Sequence, residues 1–177
     1  MTTPIALNPV PGAGFQQPFE MLLACHERVH RMLALLERLA EHLGRHGCDP
    51  HASDAARDVM RYFDLAAPAH HQDEERHVLP ALRAAGDDAF AAQIEQEHRE
   101  MQRRWVELRR GLAEVVTGSR IGSGEFDFVP WHQFAELYRA HAAAEEAHAF
   151  PTAQAALDSA AQQAMGREMA ARRGLRV

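Results

Sequence analysis

The sequence predicts an all-α protein, an up-down four-helix bundle with an N-terminal arm and a short C-terminal helix, and three observations lead there. Apolar residues recur at alternating steps of four and three along four separate segments, the spacing of one buried stripe on an amphipathic helix. Glycines, prolines and capping residues interrupt that pattern briefly, so consecutive helices are joined by short loops and pack as neighbours. Part of the second helix reappears in the fourth, with Phe63, His70, Glu74, Glu75, His77 and Pro80 recurring as Phe134, His141, Glu145, Glu146, His148 and Pro151. A repeat of that kind reads as one helical hairpin used twice.

Each element follows in order. Residues 1–18, with four prolines and two glycines, read as an extended arm. Leu22, Val29, Leu33, Leu36, Ala40 and Leu43 then form a stripe with His26 in the remaining slot, which predicts a first helix over about 19–46, ended by Gly44, Gly47 and Pro50. A second helix is expected from Ser53 or Asp54 as N-cap to about Arg83, carrying Val59, Phe63, Ala67, His70, Glu74 and His77 inward and kinked at Pro68. Asp87 and Asp88 cap a third, whose stripe runs through Ala91, Ile94, His98, Met101, Trp105, Leu108, Leu112 and Val115 into a Gly/Ser loop. Asp127 and Pro130 open a fourth, with Phe134, Tyr138, His141, Glu145 and His148 in line, and a short fifth helix spans roughly 158–173. The expected division is an arm over 1–18, a bundle over 19–157 and a C-terminal helix and tail over 158–177.

Composition narrows the function. A chain of 177 residues suits one domain with a real core. No stretch approaches the ~18 apolar residues of a membrane span, and the first residues lack the basic and apolar regions of a secretory signal, so the cytoplasm is the expected location. The net charge is −6 and the basic residues are dispersed, which argues against nucleic acid as partner. Cys25 and Cys48 have no metal-binding spacing. Histidine is the anomaly, at 12 residues, and it recurs beside carboxylates.

A histidine and a glutamate four apart lie on one helix face a turn apart. His70 with Glu74, and His141 with Glu145, do so on the core line of their helices. Burying those groups without partners costs several kcal/mol in total, whereas a cation satisfies imidazole lone pairs and carboxylate charge together. His26 and His98 occupy the stripes of the other two helices. Six groups then converge on the bundle axis, and carboxylates shared by two ions are a known device for a dinuclear iron centre. His71, Glu75 and Glu146 lie one residue off the line, which suits support from outside or a solvated face. The Glu-x-x-His pairs Glu74 with His77 and Glu145 with His148 also occur in ferritin-like proteins. Those folds need a further glutamate from each of the other helices, where this chain has histidine, so His77 and His148 stay open only as additional ligands.

The segments HHQDEERHVLP at 70–80, HAAAEEAHAFP at 141–151, CHERVH at 25–30 and EQEHREM at 95–101 resemble the hemerythrin-like family of HHE cation-binding domains, over about 19–157. The resemblance implies a non-haem centre of two iron ions in a four-helix bundle, with an open position for dioxygen or a similar small ligand. Carried over, the ligands are His26, His70, Glu74, His98, His141 and Glu145, with Glu74 and Glu145 as bridges. The chain departs from the oxygen-carrier pattern in having one histidine on its third helix, flanked by Ile94 and Gln102, and H-x-x-x-E on its fourth, which implies more open or carboxylate-rich coordination. The expected function is binding or sensing of O2, NO or peroxide. The alternatives are an enzyme acting on peroxide or nitric oxide or delivering iron for repair, and a metal-free helical interaction module.

Overall fold

The computed structural model describes residues 14–118 and 127–175. Most of the expected arm and of the Gly/Ser loop therefore lies outside the described residues, which are helical with no strand. The elements are α1 (Pro18–His46), α2 (Pro50–Arg61), α3 (Ala67–Asp73), α4 (Leu79–Ala84), α5 (Asp88–Thr117), α6 (Val129–Ala144), α7 (Phe150–Ala156) and α8 (Ser159–Arg172). Wide π turns at Tyr62–Ala66 and Glu74–Val78 join α2, α3 and α4 into one stretch, and a third at Glu145–Ala149 joins α6 to α7.

Those wide turns are where the sequence expectation changes. Where a kink is expected at Pro68 the backbone widens, and the residue before each of three prolines bonds five positions back: Ala67 to Tyr62, Leu79 to Glu74 and Phe150 to Glu145. Proline has no N–H and its ring crowds the carbonyl four residues earlier, and a widened turn just upstream relieves both problems. Pro80 and Pro151 use the same device, so the repeat is a repeat of backbone as well as side chains.

Two caps also differ. The second stretch starts at Pro50 with Asp49 as N-cap, its carboxylate accepting the Ala52 N–H at 2.8 Å. Proline at the first helical position after an aspartate is a favourable start, and Ser53 sits inside the helix with its hydroxyl on the Val116 carbonyl. Neither Asp87 nor Asp88 caps α5 through its side chain; Asp87 pairs with His148 instead. The opening of α6 is as expected, with the Asp127 carboxylate accepting the Val129 N–H at 3.0 Å. Asp158 caps α8 in the same manner.

α1 packs on α2 and α6, and α5 packs on the same two, so the long stretches form a closed ring. Two apolar clusters fill it. One joins the late part of α1 and of α5 to α2 and early α6, through Leu33, Leu36, Val59, Leu112 and Phe134. The other joins the early part of α1 and α5 to α4 and α7, through Leu22, Leu79, Leu82, Ile94 and Phe150, and takes Met165 and Met169 from α8. The early parts of α1 and α5 thus lie with α4 and α7, and α8 packs at that end. Phe134 is fully buried and meets the rings of Phe63, Tyr138 and Trp105 at 5.0–5.9 Å. Phe134→Ala should cost about 3–5 kcal/mol of stability, read as a fall in the denaturation midpoint.

Candidate metal centre

Between the two apolar clusters lies a polar layer that a core does not ordinarily tolerate. Buried there are His26 on α1, His70 and Asp73 on α3, Glu74 at the start of its π turn, His98 on α5, His141 on α6 and Glu145 at the start of its own π turn. Glu74 and Glu145 are both 0% exposed. Helical spacing aims each histidine and glutamate pair inward: His70 Nε2 is 3.0 Å from Glu74 Oε1, and His141 Nε2 is 3.2 Å from Glu145 Oε2.

The two carboxylates each face two ways. Glu74 turns Oε1 toward His70 and toward His26, at 3.8 Å, while its Oε2 is 3.5 Å from His98 Nε2. Glu145 Oε2 lies 3.2 Å from both His26 Nε2 and His141 Nε2, and its Oε1 lies 3.9 Å from His98. All six residues singled out from the sequence are therefore brought together. His77 and His148 are not. His77 is half-buried beside Glu168 at 3.3 Å, and His148 is exposed and paired with Asp87. The widened turn after each glutamate rotates these histidines away from the axis, where outside carboxylates take them.

His71, expected outside, has its Nε2 buried in the layer and its ring stacked on that of His98, with centroids 4.1 Å apart. It stands three residues before Glu74 as His70 stands four before it, so both reach the same carboxylate from adjacent directions. The doubled histidine was the available signal, masked because the repeat has Ala142 at the corresponding place.

Two groups of ligand atoms result, each within a 4.8 Å span: His26, His70, Glu74 and Glu145 in one, and His71, Glu74, His98 and His141 in the other. Glu74 belongs to both. His26 Nε2, His71 Nε2 and all four carboxylate oxygens of Glu74 and Glu145 are buried without a hydrogen-bond partner. Groups so placed are costly to bury unless something ligates them.

Outside the layer, carboxylates orient three of the rings. The Nδ1–H of His26 donates to Glu146 at 2.9 Å, that of His98 to Glu75 at 3.0 Å, and that of His141 to Glu97 at 2.8 Å. Such bonds fix the tautomer so that the Nε2 lone pair points inward, the arrangement usual for metal-binding imidazoles. Glu75 and Glu146 thus have the supporting role expected of them, and Glu97 was missed, although it directly precedes His98. The surroundings of His70 and His141 differ despite the repeat, because His70 Nδ1 has no such partner.

The electrostatics follow from the trapped negative charge. Burial pulls His26 down, yet the carboxylates of Glu145 and Glu74 outweigh it and raise its pKa to about 10. The same contest lifts His98 to about 10, through Glu74 and Glu75, and His141 to about 9, through Glu145 and Glu97. Burial wins at His70 and His71, which are pushed down and stay neutral. Glu74 is held well below the usual carboxylate range in spite of its burial, because His70, His26 and His98 surround it. The layer demands positive charge, and in the absence of a cation protons supply it.

Comparison with known sequences agrees with this geometry. Residues 17–153 match the profile of the hemerythrin HHE cation-binding domain. The chain is also 30% identical over 169 residues to an uncharacterized protein of Haemophilus influenzae, covering 94% of this chain and 96% of that one.

Proposed function

Because the chain belongs to the hemerythrin HHE cation-binding family, we propose that its buried layer holds two iron ions in an up-down four-helix bundle and that the protein binds or senses O2, NO or peroxide there. The observation that carries this reading is the pair of ligand groups that meet at Glu74. His26 and His70 would hold one ion, and His98 and His141, joined by His71, would hold the other. Glu74 and Glu145 present oxygens to both sides, as carboxylates shared by two cations do. When bound, the ions supply an open coordination position for a small ligand and the capacity to exchange electrons with it.

The chain's own residues do the rest. Glu146, Glu75 and Glu97 hold His26, His98 and His141 as inward donors. The apolar clusters pack against the layer from either side, which lowers the local dielectric and strengthens charge interactions within it. Asp73, the residue before Glu74, is fully buried and paired with Arg173 at 2.6 Å and Arg172 at 3.1 Å, so the C-terminal end of α8 anchors the stretch that carries His70, His71 and Glu74.

The role as binder or sensor is tested by adding O2, NO or hydrogen peroxide separately to the reduced, iron-loaded protein and following its absorption. A stoichiometric spectral change, reversed when the gas is removed, is expected for O2 or NO. Sustained consumption of peroxide or nitric oxide over many equivalents would instead make the protein an enzyme, and no change with any of the three would contradict the reading. His71→Ala gives a second check. It should lower iron from about two per chain toward one with helicity unchanged by circular dichroism; full iron content would return His71 to a purely supporting position.

A further inference from the structure

Between α3 and the middle of α5 a cleft of about 650 Å3 opens to solvent and runs inward to His71, His98 and Tyr138. We propose that this cleft is a binding site for a neutral, largely aromatic organic molecule. The proposal goes beyond the binding of a diatomic gas and does not depend on it.

Size is the first argument. A volume of this order is what sites for drug-sized ligands provide, and it far exceeds the needs of O2, NO or hydrogen peroxide. The walls are the second. Phe63, Met101, Trp105 and Tyr138 are buried residues that line the cleft, and the exposed Val106 extends its apolar surface at the mouth. Their rings already pack tilted or edge to face, with Phe63 5.1 Å from Trp105 and 5.4 Å from Tyr138, the geometry in which a further aromatic ring is readily accommodated.

Charge decides the class of occupant. Four acidic or basic residues line the cleft, and each is already paired. Asp64 accepts from Arg109 at 2.9 Å and from the Trp105 indole N–H at 3.0 Å. Arg99 donates to Gln96 and lies 3.4 Å from Glu95, and Glu75 accepts from His98. A charged ligand would have to break one of these pairs or enter an aromatic cleft with no counter-ion, at a desolvation cost. The exposed carboxamides of Gln72 and Gln102 remain to meet a hydroxyl or carbonyl, since each both donates and accepts. At the inner end such a molecule lies against His71 and His98 without replacing any inward ligand atom.

The test is isothermal titration calorimetry with 1-naphthol, on protein as purified and on the same protein after chelation. One site per chain is expected, with a dissociation constant on the order of 100 µM and no more than a threefold difference between the two samples. The anion 1-naphthalenesulfonate should bind at least tenfold more weakly. Ala69→Trp, which fills the cleft from a half-buried wall position, should weaken 1-naphthol at least tenfold, and so should Gln102→Trp from the opposite wall. Ala143→Trp, at an exposed position on another helix, should leave it unchanged. Absence of heat with the folded wild-type protein, equal affinity for the sulfonate, or binding that survives both filling substitutions would each overturn the proposal. None of these results bears on iron content, so the reading of the metal centre stands or falls separately.

Discussion

Glu74→Gln is expected to empty the centre of both ions, although it changes one atom of one side chain. Two cations in a buried layer repel each other strongly, and what offsets that repulsion is negative charge held between them. Glu74 is the residue common to both ligand groups, with Oε1 toward His26 and His70 and Oε2 toward His98. A glutamine there keeps one good ligand oxygen, loses the charge, and turns two N–H donors toward imidazoles that must themselves accept a cation. Iron should fall from about two per chain to below one, with loss of the near-ultraviolet ferric charge-transfer absorption. Glu145→Gln should act in the same direction. Glu146→Gln, on the outer edge of His26, should keep that absorption, because an amide oxygen still accepts from Nδ1–H. A folded Glu74→Gln protein with full iron content would show that the two groups are independent sites.

Acidity should act on the centre more steeply than any single substitution. Burial opposed by the surrounding carboxylates leaves His26 and His98 at about 10 and His141 at about 9 in the metal-free protein, so at neutral pH His26 is protonated, and His98 and His141 share one proton across their 3.2 Å Nε2–Nε2 contact. Those Nε2 protons must leave before an ion can bind. Iron loading should therefore release protons, and apparent affinity should rise by about tenfold per pH unit for each proton displaced, up to pH 9–10. The sign for the metal-free protein is the reverse. These folded-state values lie above the ordinary 6.5, so the stabilisation they contribute is complete below about pH 6.5 and is lost as pH rises through 9 to 10. Melting of the chelated protein should fall between pH 7 and pH 10, while the loaded protein gains between pH 6 and pH 8. Proton release by pH-stat together with two melting series checks both halves. Loading without proton release would contradict the charge balance described for the layer.

The helices and most of the polar layer were legible because both are written in helical spacing. Val29, Leu33 and Leu36 repeat at the period that buries one face, and His70 with Glu74 obeys the same period, so a stripe that is apolar at its ends and ionisable in its middle announces a site inside a core. Four features could not be read that way. The π turns depend on how the backbone accommodates Pro68, Pro80 and Pro151, and only the first of these stood out as a disturbance. His71 reaches the layer from one residue off the line, because a glutamate at the start of a wide turn can be met from three residues back as well as four. Its place in the repeat is held by Ala142, so symmetry argued against it. The pairing of Asp73 with Arg172 and Arg173, a hundred residues away, and the cleft beside His98 arise only when distant helices pack, and no local period encodes that.

The metal content of the untagged protein, measured by inductively coupled plasma mass spectrometry against protein concentration from amino-acid analysis, tests the account most directly. Two ligand groups sharing a buried glutamate predict about two iron atoms per chain, removed together by chelation. One tightly held ion per chain, or none above background in folded protein, would contradict it.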